Sequence, residues 1–274
     1  MRIKLIFWLL LPSFGLFFVL SYFIRGTEGK ENLEVQIQTA EAQGFDKDTV
    51  REKMLKNFDW KGEGIVTLWF DDAWRSQYEI AFTGLQKQNI KGALAVTTLS
   101  VGKKDYMGWW QIERMQFYGW EITSHTRGHS CEEEKLDHDT LEYEILGAKL
   151  DLVKRKIYAE NFVTPCGVVT TEVTEEVKQN YSSLRGSGEG LNPIPVNNQY
   201  NLNAYVLNNK TTPADVRRYL NKAKEEKGWL ILAFHQIDLT NQEYSISPQL
   251  FNEMIIEVRK SGLQIALPTQ VLSI

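Results

Sequence analysis

Five side chains able to bind a metal or move a proton lie directly after apolar stretches of the chain. Asp71 and Asp72 follow the run IVTLWF, His125 follows WEITS four residues before His129, and His235 follows WLILAF. Two imidazoles and one carboxylate hold a divalent ion and leave positions open for water and substrate. The second carboxylate of the Asp pair suits a general base, and His235 suits a proton donor to a leaving group. These residue types predict metal-assisted hydrolysis of an acyl bond.

Strands and helices must alternate to bring these residues together. Short apolar runs predict strands, with amphipathic helices between them, at 65–70, 93–96, 120–124, 162–164, 183–185, 205–207, 229–234 and 263–266. This alternation favours a parallel α/β sheet or barrel, whose active site is built at the carboxyl ends of the strands. The H-x3-H spacing predicts a helical turn with both imidazoles on one face.

The N-terminus contains a segment without charge at residues 5–24. A helix of that length spans roughly 30 Å, the thickness of a bilayer core. No A-x-A cleavage site follows it, so residues 1–25 predict a single transmembrane signal anchor, with secretion as the outcome if the segment is cleaved. The short basic N-terminus favours an extracytoplasmic domain. Residues 26–60 predict a linker with a short helix at 46–58, and residues 61–274 predict the catalytic domain.

Composition excludes several classes of protein. The chain has 274 residues, is 43% hydrophobic and carries a net charge of −4, which is ordinary for a globular protein and unlike a disordered or collagen-like chain. An acidic balance gives no electrostatic reason to bind nucleic acid. Two cysteines rule out a scaffold built on disulfides, although a Cys131–Cys166 bond is conceivable in an exported protein. A monomer is expected.

Four motifs, in this order, resemble those of the polysaccharide deacetylases with a NodB homology domain, carbohydrate esterase family 4. They are Phe70-Asp71-Asp72, the segment HTRGH, a strand ending in Pro165-Cys166-Gly167, and the strand before His235. The resemblance runs from about Ile65 to the C-terminus. It implies a distorted (β/α) barrel of the NodB type that removes N-acetyl groups from polymeric amino sugars.

The resemblance also implies a role for each matching residue. Asp71 matches the general base and His235 the general acid. The backbone N–H of Cys166 matches a group that stabilises the tetrahedral oxyanion. One divalent ion is implied, usually zinc, and such a site also accepts cobalt, nickel or manganese. The matching ligands are Asp72, His125 and His129.

Three positions depart from the family motifs. Ala73 replaces a usual glycine, a mild change if the backbone there does not need a positive φ. Val163 stands where an arginine often orients the base, and Arg185 at the next strand end is expected to substitute, with a structural salt bridge as the alternative. No clear carboxylate orients His235, and Asp238 is only near in sequence.

Further residues are candidates for contact with the substrate. Trp74 follows the Asp pair and is expected to line a sugar groove, with core packing as the equal alternative. Pro165 belongs to the third motif, and Asn192 lies in the irregular segment 187–200, a length typical of functional loops. The expected partners are an N-acetylated glycan polymer, such as peptidoglycan or poly-N-acetylglucosamine, and the membrane.

Two other functions stay open. The missing arginine at position 163 would suit a glycan-binding member of the fold that has lost turnover, and the same chemistry would serve a hydrolase of a small amide. A glycoside hydrolase is a poor match, because its two carboxylates flank the bond from opposite sides and adjacent residues rarely do so.

Overall fold

The computed structural model describes Val35, residues 47–132 and residues 135–274. The anchor predicted at residues 5–24 lies outside these residues, so the anchor and the three-part division of the chain stay predictions. Within the described part of the chain, no helix is both long and apolar enough to cross a bilayer. The short helix predicted in the linker is present at Lys47–Leu55, where the backbone carbonyl of Met54 accepts a hydrogen bond from Gln270 near the C-terminus.

Eight strands form one parallel sheet, as the sequence predicts. In chain order they are β1 (Ile65–Phe70), β2 (Ala93–Val96), β3 (Glu121–Ser124), β4 (Asn161–Val163), β5 (Ser183–Arg185), β6 (Tyr205–Val206), β7 (Trp229–Phe234) and β8 (Gln264–Ile265). Across the sheet the order is β5-β4-β3-β2-β1-β7-β6. β2 pairs only with the end of β1. β8 pairs with the start of β1, on the part of the same edge that β2 leaves free.

Helices connect the strands, and several of the longer ones begin at side-chain caps. The cap of Pro213–Glu226 is Thr212, which exchanges hydrogen bonds with Asp215, and the caps of His138–Val153 and Pro248–Ser261 are Asp137 and Ser247. The connection after β1 is π-helical over Gln77–Phe82 and α-helical over Thr83–Gln86. The remaining α-helices of the described residues are Trp109–Phe117, Thr171–Asn180 and Pro268–Val271, and Thr98–Ser100 is a short 3-10 helix.

The central strands are buried on both faces, which explains their continuous apolar sequences. On β1, Ile65 and Trp69 join an inner cluster that includes Trp229 of β7. Val66 and Phe70 alternate with them and pack in the outer cluster with the helices.

The sheet curls until its two edges are linked. Leu202 donates its backbone N–H to Leu184 of β5 and accepts one from Gly186, and the chain then enters β6, which pairs with β7. The segment before β6 therefore joins the β5 edge to the β7 side, which gives the distorted barrel expected from the sequence.

Candidate active site

The period of two along the strands brings the candidate residues to the mouth of the barrel. Asp71 continues the inward series of β1 two residues after Trp69, and His235 does the same on β7 after Ala233, another member of the inner cluster. His125 directly follows β3, and Arg185 is the last residue of β5. All four line one open cleft of about 600 Å³ at the carboxyl ends of the strands.

Three potential metal ligands meet in this cleft. The Nε2 atom of His125 lies 3.3 Å from Oδ1 of Asp72, and Nε2 of His129 lies 3.2 Å from the same oxygen. The three ligand atoms lie within 4.8 Å of one another. The expected ligand set is therefore assembled around one point.

The chemistry of these atoms fits a divalent ion. Oδ1 of Asp72 is buried and accepts no hydrogen bond from the described residues, although two imidazole nitrogens face it. Nδ1 of His125 lies 2.8 Å from the carbonyl oxygen of Val163, which places the hydrogen on Nδ1 and leaves the lone pair of Nε2 for a metal. Burial alone raises the pKa of Asp72, but the imidazoles of His125 and His129 hold it well below its ordinary value, so the carboxylate is ionised as ligation requires.

The H-x3-H segment is a loop, so the prediction of a helical turn is wrong. Thr126 and His129 have left-handed backbones, with φ of 59° and 62°, and these two bends bring the imidazole centroids within 4.8 Å. The carboxylate of Glu144 holds the loop by accepting the backbone N–H groups of Arg127 and Gly128. No helical periodicity is needed to bring the two rings to one point.

Arg185 contacts the carboxylate of Asp71. Its Nη2 donates to Oδ2 at 2.6 Å, and both side chains are buried. The guanidinium also lies over the Trp69 ring, 5.2 Å from its centroid. Arg185 thus contacts the carboxylate of Asp71, as expected of a substitute for the arginine that is absent at position 163.

His235 lies across the cleft from the ligand set. Its Nε2 is 3.9 Å from Oδ2 of Asp71, and its Nδ1 has no hydrogen-bond partner among the described residues. Burial lowers the pKa of His235, although Asp71 and Asp72 act in the opposite direction. Asp238 does not orient it, because that carboxylate accepts hydrogen bonds from Thr240 and Ser245.

The third motif forms a tight turn at Pro165–Gly167. Cys166 and Gly167 line the cleft, with φ of 53° and 72°. A Cβ on Gly167 would lie 1.7 Å from Oγ of Ser187, so both the conformation and the space require glycine there. A disulfide joins Cys166 to Cys131, two residues after His129, and thereby ties this turn to the loop that carries the two histidines.

The residues expected to contact substrate have different positions. Trp74 lines the cleft, whereas Pro165 is buried and does not line it. Asn192 is also absent from the lining: its backbone pairs with Trp229, at the amino end of β7, and its side chain bonds the backbone of Asn203. The expectation that Asn192 contacts substrate is therefore wrong, because it fastens the irregular segment to the opposite end of the barrel. From that segment, Ser187 and Glu189 line the cleft.

The backbone at Ala73 does need a positive φ. Asp72 has φ of 76° and Ala73 has φ of 61°, so the condition under which alanine would be a mild replacement is not met. Left-handed backbone costs a non-glycine residue roughly 1–2 kcal/mol. Strain of this kind at the end of β1 is maintained by the packing around it.

Sequence reasoning missed Gln77. Its amide Nε2 donates to the backbone carbonyls of Asp71 at 2.6 Å and His235 at 2.9 Å, which fastens the ends of β1 and β7 together. The sequence did contain a signal for this residue, because Gln77 shares a helical face with Ala81 and Leu85, which are both buried. A single amide on an apolar face needs a hydrogen-bond partner.

Family comparison agrees with this architecture. Residues 60–181 match the family model of polysaccharide deacetylases, a range that contains the Asp pair, both histidines of the loop and the Cys166 turn. The resemblance noted in the sequence to polysaccharide deacetylases with a NodB domain is therefore confirmed for this part of the chain. The search of curated proteins found no match to this chain.

Solved structures share the fold at low sequence identity. An acetyl xylan esterase of family 4 from Clostridium thermocellum, in complex with a cobalt ion, has a TM-score of 0.56 and 18% identity over 76% of this chain and 90% of that chain. The deacetylase PplD from Streptococcus pyogenes, in complex with acetate, has a TM-score of 0.50 and 22% identity over 63% and 78%. A family 4 pseudoenzyme from Bacillus anthracis has a TM-score of 0.53 and 14% identity over 77% and 66%. This fold therefore occurs in enzymes and also in a pseudoenzyme.

Proposed function

We propose that this protein is a metal-dependent N-deacetylase of an acetylated amino-sugar polymer. The observation that carries the proposal is the meeting, in one cleft, of the Asp72, His125 and His129 ligand set with the buried Asp71–Arg185 pair. The metal is a single divalent ion, with zinc as the first choice and cobalt, nickel or manganese as replacements.

Asp71 has the geometry of a general base. Arg185 holds Oδ2, while Oδ1 is buried and has no hydrogen-bond partner among the described residues. That free oxygen can take the proton of an attacking water while the other stays fixed. A bound divalent ion supplies Lewis-acid polarisation of the acetamide carbonyl and of water.

His235 and the Cys166 turn serve the other side of the reaction. Because burial lowers the pKa of His235, its protonated imidazole is a stronger acid, which favours proton transfer to the leaving amine as the C–N bond breaks. The backbone N–H of Cys166 lies in the turn at the cleft wall, where it would stabilise the oxyanion. The products are acetate and a free amino sugar.

The charges around the cleft favour a substrate without negative charge. Glu189 and Glu243 are exposed in the lining, and Arg185 is neutralised by Asp71. Apart from histidine, Arg185 is the single basic residue among the described residues of the lining. We therefore expect N-acetylglucosamine units to be preferred over N-acetylmuramic acid, whose carboxylate would approach these glutamates.

The location of the protein belongs to the same proposal. Residues 5–24 have the length and composition of a membrane anchor, which would hold a monomeric catalytic domain outside the cytoplasm and close to a cell-wall or surface glycan. Free amines left on such a glycan would give it positive charge.

One observation favours a second function, a glycan-binding member with little or no turnover. His235 lacks a hydrogen-bond partner for Nδ1 among the described residues, so no hydrogen bond to that atom fixes the orientation of its ring. The complete ligand set and the Asp71–Arg185 pair favour the enzyme.

Acetate release from a glycan panel separates these functions. The panel contains N-acetylglucosamine oligomers, peptidoglycan and poly-N-acetylglucosamine, each with chelator and then with added zinc, cobalt, nickel or manganese. Release that needs metal and is fastest on N-acetylglucosamine units supports the proposal. Tight binding of one metal with no release on any glycan would point to a small amide, and the absence of both would point to the glycan-binding function.

A further inference from the structure

The side chain of Trp74 contacts the carboxylate of Asp72, two residues earlier in the chain. The left-handed backbones of Asp72 and Ala73 reverse the chain after β1. As a result, the indole Nε1 of Trp74 donates a hydrogen bond of 2.8 Å to Oδ2 of Asp72. The indole therefore contacts a candidate metal ligand directly.

This hydrogen bond gives the two oxygens of Asp72 different environments. Oδ1 faces the imidazoles of His125 and His129, whereas Oδ2 is taken by the indole. A carboxylate can rotate about its Cβ–Cγ bond, and a donor to one oxygen restricts that rotation. Hydrogen bonds to a ligating carboxylate of this kind orient it and strengthen metal binding.

The indole is itself held in place by the segment that precedes Trp109–Phe117. Its ring stacks on Tyr106 with centroids 4.2 Å apart and an angle of 23° between the planes, and the two residues form an antiparallel bridge. On either side, Met107 donates its backbone N–H to Ala73 and Arg75 donates its own to Asp105. One face of the indole is thus covered by Tyr106 rather than open to a sugar.

We propose that Trp74 is a positioning residue for the metal site, holding Oδ2 of Asp72 so that Oδ1 stays directed at the two histidines, with Tyr106 as its brace. This inference rests on the proposed metal-dependent function. It gives Trp74 a task distinct from the substrate contact expected from the sequence.

The test is zinc affinity, measured on the full chain by competition with a chromophoric chelator. Trp74→Phe keeps an aromatic ring against Tyr106 but removes the donor, and we expect zinc to bind about 10- to 100-fold more weakly. Trp110→Phe is the matched control, since Trp110 is 62% exposed and does not line the cleft. Its zinc affinity should equal that of the wild type.

A spectroscopic readout separates positioning from general damage. With cobalt in place of zinc, the visible absorption bands report ligand geometry, and they should change in Trp74→Phe but not in Trp110→Phe. Should Trp74→Phe fail to fold, Tyr106→Ala decides the matter: it removes the brace and keeps the donor, so a smaller but clear loss of zinc affinity is expected.

Two outcomes overturn the inference in different ways. Wild-type affinity in the folded Trp74→Phe variant, or in Tyr106→Ala where that variant decides, would overturn the positioning role and leave the metal-dependent function intact. Failure of the wild type to bind zinc, cobalt, nickel or manganese would overturn the proposed function together with the inference.

Discussion

Both ends of the barrel interior contain buried carboxylates, but the two ends differ in how completely the buried polar atoms are hydrogen-bonded. At the amino end, Glu121 of β3 accepts hydrogen bonds from Asn161 and from the backbone and hydroxyl of Thr269, and Ser183 donates to Asn161. This network leaves no side-chain polar atom of these four residues without a partner. It joins β3 and β4 to the helix Pro268–Val271.

At the carboxyl end, the polar atoms are close together but poorly satisfied. Eight buried side-chain polar atoms in the described part of the chain lack a hydrogen-bond partner, and five of them belong to Asp71, Asp72, Arg185 and His235. Buried groups of this kind are costly unless something else binds them. The amino end therefore holds a structural polar network, whereas the carboxyl end leaves polar atoms available to the metal, water and substrate of the proposed function.

Among changes that leave the metal ligands in place, the largest effect expected at the carboxyl end is the loss of His235. His235→Gln removes the proposed acid, and acetate release should fall about 10²- to 10⁴-fold while metal binding is retained. His138→Gln, at an exposed histidine, is the control and should keep wild-type activity. A His235→Gln rate within a few fold of wild type would remove His235 from the mechanism.

Arg185→Ala should affect both stability and activity. It leaves Asp71 buried without its counter-charge, which typically costs about 3–5 kcal/mol, and it frees the base to move, so acetate release should fall more than about tenfold. Urea unfolding and initial rates measure the two effects. Arg217→Ala breaks an ion pair whose arginine is 58% exposed, and little change is expected there. Activity of Arg185→Ala within about twofold of wild type would show that Arg185 does not orient Asp71.

The disulfide gives the carboxyl end a covalent constraint. Cys131 and Cys166 are 35 residues apart in sequence, and a loop of that size predicts that the Cys131→Ser/Cys166→Ser double variant loses about 3–4 kcal/mol of unfolding free energy. Treating the wild type with a thiol reductant should produce the same loss and leave the double variant unchanged. Equal stability of wild type and variant without reductant would mean that the bond contributes nothing.

The buried carboxyl group at the amino end should make the free energy of unfolding depend on pH. Burial raises the pKa of Glu121 to about 7, against an ordinary value of 4.5. Between these values the unfolded chain releases a proton that the folded protein keeps, so this residue makes stability fall as pH rises, by about 3 kcal/mol across the window.

Urea unfolding between pH 4 and pH 8 measures this contribution. Glu121→Gln removes the titrating group and should flatten that part of the profile, with acetate release unaffected. Glu225→Gln, at an exposed glutamate, should keep the wild-type pH profile. An identical profile for Glu121→Gln would place the titration elsewhere.

The strands and the residues that face the barrel interior could be predicted from the sequence, because side chains alternate along a strand with a period of two. Apolar runs locate β1 and β7, and the same alternation brings Asp71 and His235 to one mouth. Arg185 was expected from the family resemblance instead, as the residue at the strand end that follows Val163. These predictions needed no knowledge of loops.

The predictions that were wrong concern features that depend on backbone conformation and on contacts between residues distant in sequence. Left-handed residues at Thr126 and His129 carry no signature, because neither is glycine, and so the loop was read as a helical turn. The length and composition of its segment suggest Asn192 as a substrate contact, yet its partners Asn203 and Trp229 place it at the other end of the barrel. Tertiary contacts of this kind cannot be read from local pattern.

The most direct test of the metal-centred cleft is to measure bound metal and acetate release in the same samples of wild type and His125→Ala. The account predicts one divalent ion per wild-type chain, acetate release that stops with chelator and returns with metal, and loss of both in His125→Ala. Acetate release that persists in chelator, or in His125→Ala without bound metal, would contradict it.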